Sequence, residues 1–251
     1  MNEIYNEDCI EGMKKLNDKS IDMILCDLPY GTTRNKWDTV IDLQELWNAY
    51  NRVIKDDGAI VLFAQSPFDK VLGCSNIKNL KYEWIWQKEN GTGFLNAKKM
   101  PLKNHENILV FYKKTPTYNP QMRLGFKPYI CKQGSGSESY NYDKSCGGHI
   151  SKSEGERYPL SVIEFKRDKN TVHPTQKPVA LLEYLIKTYT NDGEVVMDNC
   201  IGGGSTAIAC INTNRQYIGF ELDRNYYNIS NKRINNHIAC IDTKIEVWNN
   251  G

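Results

Sequence analysis

Asp27-Leu28-Pro29-Tyr30 places an acid, a proline-fixed turn and an aromatic ring directly after the apolar run 21–26. Such a run reads as a buried strand, and in open α/β sheets ligands bind beyond the carboxyl ends of the strands. Chemistry on the exocyclic amino group of a nucleobase needs this set of groups. A carboxylate can accept one N–H, a backbone carbonyl the other, and a ring can stack on a base taken out of the duplex.

A second set lies far along the chain. Asp198-Asn199-Cys200-Ile201-Gly202-Gly203-Gly204-Ser205-Thr206-Ala207 follows a strand-like run and opens a helix-like one, and Glu221 stands 17 positions after Gly204. Glycines at that spacing allow tight turning and close backbone approach, and the acid can accept from two ribose hydroxyls. The pattern suits a nucleoside cofactor, with a nicotinamide dinucleotide and S-adenosylmethionine both open; a plain glycine-rich turn is the bland alternative. His173-Pro174-Thr175-Gln176-Lys177-Pro178 precedes a helix predicted to begin at Pro178. A helix N-terminus beside Lys177 favours an anion such as a methionine carboxylate, which tilts the choice toward S-adenosylmethionine.

The elements that must position these residues alternate strand and helix. A helix is expected over 43–54, stopped by Gly58, then strands over 59–64, 82–87 and 108–112. Periodicity fades between 113 and 171, and the stretch 133–156, rich in Gly, Ser and charge, reads as loops. Order returns with a helix from Pro178, a strand over 195–197, a helix over 205–212, a strand over 216–221 and a last helix over 223–238. Two βα blocks flanking an irregular middle point to one α/β sheet with an insert. The divisions are a first half over 1–112, an insert over 113–172 and a second half of the same domain over 173–251.

With 251 residues and 40% hydrophobic content the chain can bury a full core. No apolar run approaches the ~18 residues of a membrane helix, and the eight cysteines form no C-x-x-C pair, which fits a reducing cytoplasm. Cys131, Cys146 and His149 are too few for a zinc site, leaving free thiols as the expectation. The net charge is only +2, but residues 98–132 hold eight bases and one acid. Lys98, Lys99, Lys103, Lys113, Lys114, Arg123 and Lys127 there interleave with Tyr112, Tyr118, Phe126 and Tyr129. Cations track phosphates and rings stack on bases, so the segment is a candidate DNA face; a solvated loop with anchoring aromatics is the alternative. Lys88 and Asn104-His105-Glu106 flank it, His105 as a packing histidine or a base.

Taken together these motifs resemble the β-group of amino-DNA methyltransferases, in particular the compact phage and prophage type. Asp27-Leu28-Pro29-Tyr30 is similar to the family's Asp-Pro-Pro-Tyr motif, and 198–206 to its Asp-Pro-Phe-x-Gly-x-Gly-Thr-Thr loop. His173 to Pro178 matches its His-Pro-Thr-Gln-Lys-Pro element, and Asn6-Glu7-Asp8-Cys9 a segment that lies against the cofactor adenine. The resemblance implies a Rossmann-like methyltransferase fold: a mostly parallel central sheet, helices on both faces and a DNA-recognition insert. It implies S-adenosylmethionine as cofactor and duplex DNA as substrate, with a second copy of the chain and a cognate restriction enzyme as further partners. It assigns catalysis to Asp27, Leu28, Pro29 and Tyr30. The cofactor would fall to Asp8, Cys9, Asp27, Thr175, Gln176, Lys177, Asp198, Cys200, Gly202, Gly204, Ser205, Thr206, Glu221 and Leu222.

Two departures stand out. Leu28 replaces a proline asked only for its carbonyl, and its place before Pro29 keeps it extended. Cys200 stands where phenylalanine is usual, removing an aromatic wall. An acid at the first motif position accompanies adenine in the family, so N6 of adenine is expected, with N4 of cytosine as the alternative. An ordinary aspartate is ionised at neutral pH, so Asp27 needs no tuning to act as acceptor. A nicotinamide-dependent oxidoreductase would explain the glycine loop but not Asp27-Leu28-Pro29-Tyr30. A silent DNA-binding regulator would not need Asp27, Tyr30 and Glu221 all intact.

Overall fold

The computed structural model describes residues 2–31, 40–132, 150–169 and 171–249. The first half supplies β1 (Asn2–Tyr5), α1 (Cys9–Lys14), β2 (Ile21–Asp27), α2 (Leu43–Val53), β3 (Ile54–Ala64), α3 (Phe68–Ser75), β4 (Leu80–Thr92) and β5 (Lys103–Phe111). Three short strands follow: β6 (Tyr129–Lys132), β7 (Ile150–Ser153) and β8 (Val162–Glu164). The last part gives α4 (Val179–Tyr189), β9 (Val195–Asp198), α5 (Ser205–Asn212), β10 (Gln216–Phe220) and α6 (Arg224–Asn249).

Eight strands form one sheet in the order β1-β10-β9-β2-β3-β5-β4-β8. Every neighbouring pair is parallel except those of β5, which runs antiparallel to β3 and β4. The chain leaves β2 toward β3 on one side and β9 toward β10 on the other. The β2/β9 boundary is therefore the topological switch point, where α/β sheets open a crevice.

Side chains alternate across the sheet, and the core divides accordingly. Met23, Leu25, Val61, Phe63, Trp84, Trp86, Ile108 and Val110 pack with Leu182, Leu185 and Ile186 of α4 and Ile208 of α5. Ile24, Cys26, Ile60 and Leu62 pack on the other face, with Met13 of α1, Leu46, Trp47 and Tyr50 of α2 and Leu72 of α3. Asp42 caps α2 by accepting from Glu45 N at 2.9 Å, and the buried stripe Leu46, Trp47, Tyr50, Val53 sets that helix on the sheet.

Boundaries differ from expectation where tertiary contacts intervene. Gly58 does not stop a helix; it lies inside β3, which begins at Ile54 immediately after α2. The β2–β3 register jumps from Ile21↔Ile54 to Met23↔Ala59, and a Cβ on Gly58 would sit 2.7 Å from Asp22 O. The close backbone approach at this irregularity is what needs glycine. The α4 helix starts at Val179, with Pro178 as its extended cap residue, and α6 runs well beyond 238.

A smaller compact unit spans Pro120–Leu160. Within it β6 and β7 form an antiparallel pair, and Arg157 lies over the rings of Phe126 (5.3 Å) and Tyr129 (4.5 Å). The segment 113–172 set apart by sequence is wider than this unit, because β8 joins the main sheet on β4.

Candidate active site

Because β1, β10, β9 and β2 are parallel neighbours, the segments after them emerge at one end of the sheet. Ile24 pairs with Met197, Asp198 with Gly219 and Phe220 with Tyr5, which brings Asp8, Asp27, Asp198 and Glu221 to a common rim. They line an open cavity of about 1210 Å³ together with Tyr30, Cys200, Gly202, Ser205, Thr206, Leu222 and the stretch 173–177.

Asp27 shares the parity of Met23 and Leu25 and so faces the α4 side. There its Oδ1 accepts from Tyr30 OH at 2.5 Å, and its Oδ2 pairs with Lys177 Nζ. Lys177 also lies 3.2 Å from Glu106 Oε2 and 5.1 Å from the centre of the Phe63 ring. Glu106 Oε1 in turn pairs with Lys88, whose ammonium lies over the Trp86 ring. Four charges of alternating sign thus run from the end of β2 to β4. Burial pushes the Asp27 carboxyl above its ordinary 3.8 and Glu106 adds to the shift, against the opposing pull of Lys177 and Tyr30. Asp27 is therefore not the ordinary aspartate from which its ionisation was expected. Burial works against the Lys177 charge too, but Asp27 and Glu106 outweigh it and hold its pKa up.

This arrangement replaces the anion site expected at the start of α4. The Val179 N–H donates to Asp168 Oδ2 at 3.3 Å, and Lys177 turns inward to two carboxylates. A buried ammonium is held where opposite charges meet it. Gln176 closes its own loop, accepting from Val172 N and donating to Asp168, both at 3.1 Å. Thr175 Oγ1 pairs with His173 Nδ1 at 3.1 Å, and the His173 ring meets Tyr226 edge-on at 4.3 Å. Burial, aided by Lys177, pushes the His173 imidazole down to about 4.

The glycine loop is organised by its own acids. Asp198 accepts from Cys200 N at 3.0 Å and Thr206 Oγ1 at 2.6 Å, and burial pushes it up to about 6. Glu221 accepts from Gly202 N at 2.9 Å and Asp223 N at 2.8 Å. Gly204 has φ 78, the left-handed region open to glycine. Asp8 caps α1 through Ile10 N and Glu11 N. The Cys200 and Cys9 sulfurs share the Asn199 amide as donor, and Tyr50 OH donates to Asn199 Oδ1 at 2.5 Å. This buried polar link between α2 and the loop was not anticipated from sequence.

Lys88 and Glu106, singled out from the sequence only as flanking the basic segment, belong to the cavity. Continuing the alternation one step past each apolar run would have placed them there: Lys88 follows Trp84 and Trp86, and Glu106 precedes Ile108 and Val110. His105 is exposed and outside the cavity lining.

The basic run is divided. Lys98, Lys99 and Lys103 lie at or beside the loop joining β4 to β5, at the end of the sheet that carries Asp27, whereas Lys113 and Lys114 follow β5 at the opposite end. Lys114 pairs there with Asp56 at 3.3 Å, and Lys113 Nζ donates to Asn51 O at 3.5 Å. Antiparallel β5 carries the chain across the sheet, so Lys113 and Lys114 leave the candidate DNA face. Tyr112 packs edge-on against Tyr82, and Tyr118, still 44% exposed, tilts against Tyr189. In the small unit, Arg123 Nε donates to Tyr158 O at 3.0 Å and its guanidinium covers Phe126, while Lys127 is exposed. Cys146 and His149 lie outside the described residues; among the described residues no group of three His, Cys, Asp or Glu is placed to hold a metal.

Against this geometry, the family model described as "DNA methylase", of the N6/N4 type, matches residues 21–232. The chain belongs to this family. Its relatives include the DNA adenine methyltransferase YhdJ of Escherichia coli, 28% identical over 92% of this chain and 82% of that protein. The type II methyltransferase M.BglII of Bacillus subtilis is 25% identical over 92% of this chain and 68% of its own length. Among solved structures, the M1.HpyAVI-SAM complex superposes with a TM-score of 0.63 at 26% identity, over 93% of this chain and 100% of that one. The cytosine-N4-specific PvuII DNA methyltransferase shares the fold, with a TM-score of 0.68 at 15% identity over 91% of this chain and 84% of that one. Membership sets aside the oxidoreductase alternative for this DNA methyltransferase. No helix among the described residues is long and apolar enough to cross a membrane.

Proposed function

We propose that this DNA methyltransferase transfers a methyl group from S-adenosylmethionine to N6 of an adenine extruded from duplex DNA. The observation that carries the proposal is Asp27, a half-buried acceptor at the β2/β9 switch point with Tyr30 beside it on the cavity wall.

The rim fits the cofactor by its donors and its space. Glu221 holds two backbone N–H groups and keeps further lone pairs for ribose hydroxyls. A side chain at Gly203 would meet Val172 Cγ2 at 2.8 Å, so glycine lets the cavity-lining loop lie close against the 172–176 segment. Leu222, 71% exposed, offers an apolar cover for an adenine ring, and Cys9 and Cys200 line the same cavity. When bound, S-adenosylmethionine supplies an electrophilic methyl on a sulfonium.

The chain's own groups prepare the amine. Asp27 accepts one N6 hydrogen and the Leu28 carbonyl the other, turning the nitrogen lone pair outward. The carboxylate also stabilises the positive charge that grows on nitrogen. Leu28, 3% exposed, is gripped by the α1–α3 face of the core, so packing holds its carbonyl where a proline ring would have done so. Tyr30, whose ring rests on Phe68 at 5.3 Å, is placed to stack on the base and offset part of the few kcal/mol of unstacking.

Lys98, Lys99 and Lys103 would track phosphates, and the Pro120–Leu160 unit would read the target sequence. The relative named as an adenine methyltransferase and the acid at position 27 favour adenine. Incubation with mixed-sequence duplex DNA and S-adenosylmethionine, followed by nucleoside mass spectrometry, should yield N6-methyladenine. N4-methylcytosine would overturn the choice of base, and no modified base would overturn the proposal.

A further inference from the structure

Glu106 has a feature that a settled structural ion pair lacks. Its Oε1 is satisfied by Lys88, but Oε2, on a residue only 8% exposed, accepts no hydrogen bond. Lys177 Nζ stands 3.2 Å away, within ion-pair range yet aimed at Asp27 Oδ2 instead. A buried acceptor left unmade costs free energy, and this one borders the cavity in which Asp27 must work. Meanwhile both Asp27 oxygens are already occupied, by Tyr30 and by Lys177. An ammonium seated on Oδ2 opposes catalysis in two ways. It competes with the target N–H for that oxygen, and its charge repels the positive charge that develops on the methylated nitrogen.

We propose that Glu106 is a positioning residue for Asp27: its Oε2 is the second seat for the Lys177 ammonium, taken up when the target amino group arrives at Asp27 Oδ2. The inference rests on Asp27 being the acceptor of that amine. The shift strands no charge, because Lys177 passes between two carboxylates it already touches. No proton leaves it; only the hydrogen-bond acceptor changes. Lys88 holds Glu106 in place throughout from the strand beside it. The strand-end positions of Asp27, Glu106 and Lys88 on one face of the sheet make the shared cation possible.

The test uses Glu106→Gln in the full chain, read by two independent measurements. The groups around Asp27 are Tyr30 and Cys26 on its own segment, Lys177 before α4, Glu106 on β5 with Lys88 behind it on β4, and Asp198 on β9. Glu106 raises the Asp27 pKa and Lys177 lowers it. Removing the Glu106 charge should therefore move the Asp27 titration to lower pH, followed by 13C NMR of aspartate-labelled protein without DNA. Lys177→Met should move it to higher pH. In single-turnover assays, Glu106→Gln should lower the plateau rate on the order of ten- to a hundredfold, because Lys177 then stays on Asp27, with KM for DNA little changed. An unchanged plateau rate would overturn the inference. A lost rate with an unmoved Asp27 titration would also overturn it, leaving Glu106 a merely structural residue. Should Glu106→Gln fail to fold, Glu106→Gln with Lys88→Met removes the pair together and should still move the titration down, by less because a more distant cation is lost with it. Wild-type protein that shows the titration pattern but methylates no DNA would sink the proposed activity and leave the Asp27–Glu106 coupling standing.

Discussion

At Asp27, burial and charge pull in opposite directions, and the outcome decides how the acid can be used. Burial and Glu106 make ionisation harder; Lys177 and Tyr30 make it easier. Because the proposed acceptor is the carboxylate, activity should be lost as pH falls through the raised pKa. The acid limb of the rate profile is therefore expected above the ordinary aspartate value of 3.8. Asp27→Ala should reduce methyl transfer on the order of 10²- to 10³-fold, the cost of losing one group aimed at developing charge. Calorimetry should find S-adenosylmethionine affinity nearly unchanged, since Glu221 and the glycine loop are intact and Lys177 retains Glu106. A rate within a few-fold of wild type would refute the role of Asp27. Asp27 and Tyr30 could be chosen from the sequence because the tetrapeptide is contiguous. Lys88 and Glu106 could not be joined to them that way, because strand pairing of β4 with β5 brings them together.

Element direction explains what became of the basic segment. Read linearly, Lys98 to Lys114 is one cluster; folded, β5 separates Lys103 from Lys113 and Lys114 by the length of a strand. The lysines of the β4–β5 connection remain at the catalytic end, where Phe94 and Leu95 of the same loop are exposed. Replacing Lys98, Lys99 and Lys103 with Gln should flatten the log–log salt dependence of DNA binding by about 0.9 for each phosphate no longer neutralised. Replacing Lys113 and Lys114 should leave that slope unchanged. Filter binding or fluorescence anisotropy over a salt series separates the two sets, and equal effects would restore the linear reading.

For the whole molecule, the main sheet and the Pro120–Leu160 unit are separable in the chain. The main unit fixes both junctions itself: Asn119 N donates to Thr188 O at 2.8 Å, and Ser161 O accepts from Ile85 N at 2.8 Å. Every described residue that lines the cavity belongs to the main unit. Replacing 120–160 with a short Gly/Ser linker should therefore keep cooperative thermal unfolding and S-adenosylmethionine binding while abolishing site-selective methylation. Sequencing the modified DNA beside a melting curve checks both halves, and loss of cofactor binding in a folded protein would show that the small unit is not confined to recognition.

By itself the sequence determined the family, the fold class and the two acids that anchor the cavity, Asp27 and Glu221. Those signals are short motifs: an apolar run with its turn, and a glycine loop with an acid 17 positions after Gly204. Helix and strand limits such as Gly58 escaped because a backbone approach from β2, not local propensity, decides them. Tertiary structure alone decided that Lys177 faces inward, that Glu106 shares it, and that Lys113 and Lys114 lie at the end of the sheet opposite Asp27. Each depends on strand order, strand direction and burial. Those properties arise only when residues distant in sequence are brought to one edge and stripped of water.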